Sequence, residues 1–166
     1  MADEQENRLS ETKKNFMRRA IVLSREKMDA GYGGPFGAVI VRADKVIAEG
    51  FNQVTSSNDP TAHAEVVAIR KACEILGDFS LAGCEIYTSC EPCPMCLSAV
   101  YWARLERIFY ANTREDAAKI GFDDDLLYRE IPKPVATRNI PAMRILGDEA
   151  REVFQEWQSK IDKVLY

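Results

Sequence analysis

Residues Glu85–Ala111 read EIYTSCEPCPMCLSAVYWARLERIFYA, and the order of patterns in this stretch decides the fold class. Glu85–Ser89 and Arg107–Ala111 are short runs of β-branched and aromatic side chains, which is the composition of strands that pack on a core. Between them the spacing predicts a helix from Cys93 to about Ala103. Strand, helix and strand in that order make a βαβ unit, and its crossover sets the two strands side by side and parallel.

Working outward, Phe16, Ala20 and Leu23 recur at helical spacing between about Leu9 and Ala30, and the glycines of Gly31–Gly34 end the run. The charged residues 1–14 read as a solvated lead-in. Phe36–Val41 and Val46–Phe51 flank the polar turn Arg42–Lys45 and form a hairpin pattern. After a polar loop, Asn52–Asp59, the pair Asp59-Pro60 suits the N-cap and first turn of a helix. Ala62, Val66, Ile69, Cys73 and Leu76 would be its buried stripe, and Gly77 its stop. Downstream of the βαβ unit the pattern predicts a short helix at Glu115–Ile120 and a connector from Leu126 to Pro141 punctuated by three prolines. A last strand at Met143–Leu146 and an amphipathic helix from Asp148 to about Lys163, carrying Phe154, Trp157 and Ile161, complete the chain. The expected architecture is α/β: a three-layer α-β-α arrangement with one five-stranded mixed sheet and helices on both faces. Residues 15–166 would form one domain.

Composition narrows the function classes. With 166 residues, 46% of them hydrophobic, the chain suits one ordinary core rather than a disordered or fibrous state. Twenty-two basic and 26 acidic residues give a net charge of -4, so there is no general attraction for phosphate backbones and nucleic acid is disfavoured as a partner. No apolar run of signal-peptide or membrane-helix length is present, so no membrane association is expected. Three of the five cysteines, Cys90, Cys93 and Cys96, crowd together, which favours a metal site over a disulfide framework and implies a reducing, cytoplasmic setting.

The chemistry concentrates in two short stretches. His63, the only histidine, stands in Thr61–Glu65 (TAHAE), and Ser89–Cys96 reads SCEPCPMC. Cys93 and Cys96, three apart at the start of a helix, face one side, where the helix dipole favours the thiolate that binds metal. Two thiolates and an imidazole suit one zinc ion per chain and leave a fourth tetrahedral position for water, whose pKa such a site lowers to about 7. Cys90 precedes the helix and would have to fold back to become a fourth ligand. Glu65 lies about 200° around a helix from His63, so it flanks the metal rather than ligating it and is placed to move a proton. Taken singly, a CxxC pair is often redox-active or structural, and a lone histidine at a helix start is often only hydrogen-bonded. Together, the arrangement H-x-E…P-C-x-x-C is the signature of zinc-dependent deaminases.

On these residues, and on Gly33–Ile40 (GGPFGAVI), Asn58–Glu65 (NDPTAHAE) and Tyr87–Cys96 (YTSCEPCPMC), the chain resembles the cytidine/deoxycytidylate deaminase superfamily from about Phe16 to Tyr166. Tyr101–Arg104 (YWAR), Gly121–Asp124 (GFDD) and the terminal Tyr166 are similar to its short bacterial guanine-deaminase branch. The resemblance implies zinc on His63, Cys93 and Cys96, with Glu65 as proton shuttle and a purine base as substrate. It also implies that Asn52 bonds the purine edge, that Phe36, Ala64 and Trp102 line the ring, that Asp124 meets the exocyclic amine or a neighbouring nitrogen, and that Tyr166 helps close the pocket. A homodimer is implied as well, with segment 126–166 exchanged so that Asp124 and Tyr166 serve the partner's site.

Plainer readings of the same residues stay open. Asn52 also suits an Asx-turn, Phe36 and Trp102 suit the core, and Asp123–Asp125 suit a solvated acidic turn. The terminal stripe also suits docking on its own domain. The same chemistry on cytosine, a nucleoside, an aminotriazine or adenosine in transfer RNA, and a non-catalytic zinc-stabilised binding module, are the rival functions.

Overall fold

In the computed structural model, which describes the backbone of residues 2–165 and the side chains of residues 11–165, the chain opens with α1 (Ala2–Asp29). There follow β1 (Gly37–Arg42), β2 (Lys45–Phe51), the single turn α2 (Val54–Ser57) and α3 (Ala64–Leu76). Next come β3 (Cys84–Cys90), α4 (Pro94–Trp102), β4 (Arg107–Asn112) and α5 (Arg114–Lys119). The chain closes with α6 (Asp125–Glu130), a 3-10 turn at Val135–Thr137 and α7 (Gly147–Ser159).

The helix α1 starts well ahead of the expected Leu9. Ahead of Leu9 the charged lead-in holds Ala2, Glu4, Gln5, Glu6 and Arg8, all good helix formers, so it extends the helix although it carries no apolar stripe. The start of α3 moves the other way. Asp59 Oδ1 accepts from the Thr61 N–H at 2.8 Å and from its hydroxyl at 2.7 Å, closing a turn before the helix, and His63 becomes the N-cap.

The sheet runs β2-β1-β3-β4. β1 is antiparallel to both neighbours, while β3 and β4 are parallel as the crossover through α4 requires. The sheet thus has four strands among the described residues, not the five expected. Met143–Leu146 pairs with no strand, Met143, Ile145 and Leu146 are exposed, and Leu146 turns into the left-handed region (φ 50°) just before α7. Without a ladder to receive its N–H and C=O groups, an apolar run does not become a strand.

Alternation along β1 and β3 divides the core. Val39, Val41 and Tyr87 face α1 and pack with Ala20, Phe16 and Met17. Ala38, Ile40 and Ile86 face the opposite way, toward Ala64, Ala68 and Ala72 of α3 and Val100 of α4. Helices therefore cover both faces of the sheet. The buried apolar residues of α3 are alanines and Val67, with Val66 only half buried, because α3 lies almost against the sheet backbone. A side chain at Gly50 of β2 would stand 2.2 Å from the Ala64 carbonyl oxygen, so only glycine admits this approach.

The chain divides into two units, Met1–Asp124 and Asp125–Tyr166. The first holds the sheet and the core. In the second, α6 and the 3-10 turn occupy what the prolines had marked as a plain connector, α7 is shorter than its apolar pattern, and no described residue is buried. No helix among the described residues is long and apolar enough to cross a membrane.

Candidate active site

Two helix starts converge to build the site. His63 is the N-cap of α3 and Cys93 the N-cap of α4, where Pro94 takes the first helical position and Cys96 follows in the first turn. His63 Nδ1 lies 3.6 Å from Cys93 Sγ and 3.5 Å from Cys96 Sγ. A tetrahedral zinc bonded at about 2.0–2.1 Å to nitrogen and about 2.3 Å to sulfur would separate those atoms by about 3.5 Å, so this donor set fits the ion. Cys96 is fully buried, and His63 and Cys93 are half-buried, which leaves the cluster open on one side. The Cys93 thiol is lowered to about 4, first by a hydrogen bond from Cys96 and then by His63. His63 is raised in turn by its bond to Cys93, and the Cys96 thiol, which donates, is pushed up.

Glu65, in the first turn of α3, is 5% exposed. Thr88 of β3 donates to its Oε1 at 3.0 Å, and its Oε2 faces Cys96 Sγ at 3.4 Å. Burial pushes the Glu65 carboxyl up, favouring a form that holds a proton, against the lowering effect of its hydrogen-bond donors. Cys90 stays outside the cluster: its Sγ donates to the Thr113 carbonyl at 3.6 Å, and burial raises its thiol to about 11.

The substrate-side residues fall unevenly. Asn52 is buried beyond the end of β2, and its Oδ1 accepts the N–H groups of Gly34 and Val54, each at 3.3 Å. Those two donors fix the amide's orientation and leave Nδ2 as its donor group. Gly33 lets the loop pass over it, since a side chain there would meet Asn52 Oδ1 at 2.5 Å. The Phe36 ring sits edge-on to Phe122, with centroids 4.9 Å apart. The Ala64 side chain is entirely in the core, so only its backbone, in a helix turn whose N–H groups lack intrahelical partners, is left to meet a ligand. Trp102 ends α4 at the far end from Cys93 and is 67% exposed. Asp124 is half-buried and raised by that burial and then by the charge of Cys93, whereas Asp125 pairs with Arg129 in α6. Tyr166 lies outside the described residues. Thr88 and Gly33 were not singled out from sequence as functional, although both lie inside the motifs quoted for the resemblance; a hydroxyl on an otherwise apolar strand face was the available signal.

The model of the cytidine and deoxycytidylate deaminase zinc-binding region matches residues 10–112. The chain belongs to this family. It is 55% identical over 151 residues to guanine deaminase from Bacillus subtilis (strain 168), an alignment covering 91% of this chain and 97% of that protein. The X-ray structure of guanine deaminase from Bacillus subtilis superposes with a TM-score of 0.90 at 54% identity, covering 92% of this chain and 98% of that one. A tRNA-specific adenosine deaminase from Aquifex aeolicus is 37% identical over 128 residues, or 76% of this chain and 82% of that protein.

Proposed function

We propose that this family member is a zinc-dependent guanine deaminase, converting guanine and water to xanthine and ammonia. The observation that carries the proposal is a buried carboxyl, Glu65, set against the His63–Cys93–Cys96 cluster, in a chain 55% identical to a guanine deaminase along nearly its whole length. Zinc held by those three residues supplies Lewis acidity, which lowers the pKa of a water from about 15.7 to about 7. Glu65 takes one proton from the attacking water and passes it to a ring nitrogen, then takes the proton left on the added hydroxyl and delivers it to the amine, whose C–N bond breaks to release ammonia. Asn52 Nδ2 donates to the purine edge, and its orientation is already set by the Gly34 and Val54 N–H groups. Phe36 packs on the ring, the Ala64 backbone meets the base, and Asp124 accepts from the exocyclic amine or the nitrogen beside it, while Trp102, at the far end of α4 from Cys93, is assigned to the ring by the family resemblance alone. Tyr166 closes the pocket.

The reading extends to a homodimer that exchanges the segment 126–166, so that Tyr166 serves the partner's site, while Asp124, which precedes that segment and is raised by the charge of Cys93 in its own chain, stays with its own site. Support lies in the apolar side chains of that segment, of which Phe154, Val153, Ile140 and Leu146 are exposed in the single chain, where water contact is unfavourable. Adenosine in transfer RNA is the second reading, supported by the likeness to the Aquifex aeolicus enzyme and opposed by the net charge of -4.

The test is ammonia release by zinc-loaded protein from guanine, adenine, cytosine, cytidine, guanosine and aminotriazines, with Glu65→Ala as the blank. Guanine turnover that disappears in the variant is the expected outcome. Turnover of another amine, or inosine formation in transfer RNA with steep salt dependence, would replace the substrate assignment, and full activity in Glu65→Ala would remove the proton shuttle.

A further inference from the structure

The face of β3 that packs on α3 carries Ile86 and then Thr88, which stand beside Ile40 and Ala38 of the neighbouring strand. A hydroxyl at 1% exposure on that face loses its water and needs a partner to offset the loss. The buried polar side chains among the described residues are Ser24, Asn52, Glu65, Thr88 and Ser89. Ser24, Asn52 and Ser89 bond backbone groups. Thr88 differs, because its hydroxyl donates to a side chain, Oε1 of Glu65, at 3.0 Å. That bond comes from the sheet, across from the helix that carries Glu65, and adds a second anchor to the hydrogen bond the carboxyl takes from its own backbone N–H. With Oε1 held, Oε2 is the oxygen turned to the cluster, 3.4 Å from Cys96 Sγ.

From this juxtaposition we infer that Thr88 is a positioning residue for the proton shuttle: its hydroxyl occupies Oε1 of Glu65 and aims Oε2 at the metal and substrate. The inference rests on the assignment of Glu65 as the shuttle. Thr88 touches neither substrate nor metal and acts only through the carboxyl. Valine has nearly the same shape without the donor, and serine keeps the donor while losing a methyl group.

The experiment compares Thr88→Val, Thr88→Ser and Glu65→Ala in the full-length, zinc-loaded protein. In Thr88→Val the kcat for guanine falls about 10- to 100-fold, the loss expected when a reacting group is misplaced by about an ångström. KM changes less than about threefold and zinc content stays at one ion per chain, since neither the base contacts nor the ligands are altered. Thr88→Ser returns kcat to within about threefold of the parent. A crystal structure of zinc-loaded Thr88→Val supplies the readout that does not depend on turnover: the Glu65 carboxyl leaves its parent orientation, and in Thr88→Ser it keeps it. An unmoved carboxyl in Thr88→Val overturns the proposal, as does unchanged kcat, or a serine variant as impaired as the valine one, which would mark a packing role. Parent protein inactive on guanine but active on another amine would defeat the substrate assignment alone, and the same variants would then be read on that amine. Activity retained in Glu65→Ala would defeat the shuttle and this inference together.

Discussion

The starts of α5 and of the pair α3 and α4 share one backbone conformation and use it differently. Thr113, His63 and Cys93 are N-cap residues with extended ψ angles of 168°, 156° and 168°. Thr113 turns its hydroxyl back on the helix: it accepts the Asp116 N–H, and Asp116 accepts the Thr113 N–H in return, a complete capping box. His63 and Cys93 make no such bond, because their side chains point at each other and at Cys96. The difference shows where function overrides the local rule. Ser, Thr, Asp or Asn would stabilise α3 and α4 better as isolated helices, and a metal-binding pair stands in their place.

The strongest way to break that comparison is to restore the local rule. His63→Asn and Cys93→Ser are expected to reduce zinc content well below one ion per chain and to take turnover to background, measured by metal analysis and ammonia release. In the metal-free state the same variants should be more stable than metal-free parent by about 0.5–1 kcal/mol, because each gains a capping side chain. Equal or lower stability in urea titrations of the metal-free forms would refute the idea that these caps were given over to the site.

Metal removal should sharpen it next. Chelation should lower the stability of the parent by about 3–4 kcal/mol relative to protein in a large excess of free zinc over its dissociation constant. Hydrogen exchange should accelerate in the first turns of α3 and α4 and remain unchanged in α5, whose cap needs no ion. Uniform acceleration across all three helices would show that the ion supports the whole core rather than two helix ends.

A smaller effect is expected from the capped helix. Thr113→Ala should cost about 1 kcal/mol in urea unfolding with zinc content unchanged. The smallest effect is on pH dependence. The Asp116 carboxyl is held below its ordinary 3.8 by Lys119 first, and then by the backbone N–H and hydroxyl of Thr113. A lowered carboxyl contributes stability above its unfolded pKa and loses it as pH falls through the folded one. Protection of the α5 amides should therefore be flat from neutral pH down to about pH 4 and decline below it; a decline already complete at pH 5 would contradict this assignment.

Much of this was legible in the chain. The strand patterns of β1 to β4, the parallel pairing across α4 and the His63–Cys93–Cys96 donor set each follow from composition and spacing within a few residues. The missed boundaries have local physical causes: good helix formers carried α1 back to Ala2, and the Asp59–Thr61 turn delayed α3 to Ala64. The absent fifth strand has a non-local cause, since Met143–Leu146 has the right composition and no ladder to join. Likewise the apolar periodicity of the C-terminal segment specifies a helix, which forms as α7, and says nothing of what covers its Phe154.

Residue types and short spacings settle what chemistry is available, because helix and strand periodicity and metal preference act between near neighbours. Which groups meet is decided by register and packing over longer separations. His63 joins thiols 30 and 33 residues away, Asn52 holds the Gly34 loop from 18 residues away, and Thr88 reaches a carboxyl 23 residues back. The His63–Cys93–Cys96 donor set could be named before folding because its residue types are rare and chemically selective. A buried threonine and an asparagine are common residues, and only the packed sheet and helices give their polar atoms a partner and a direction.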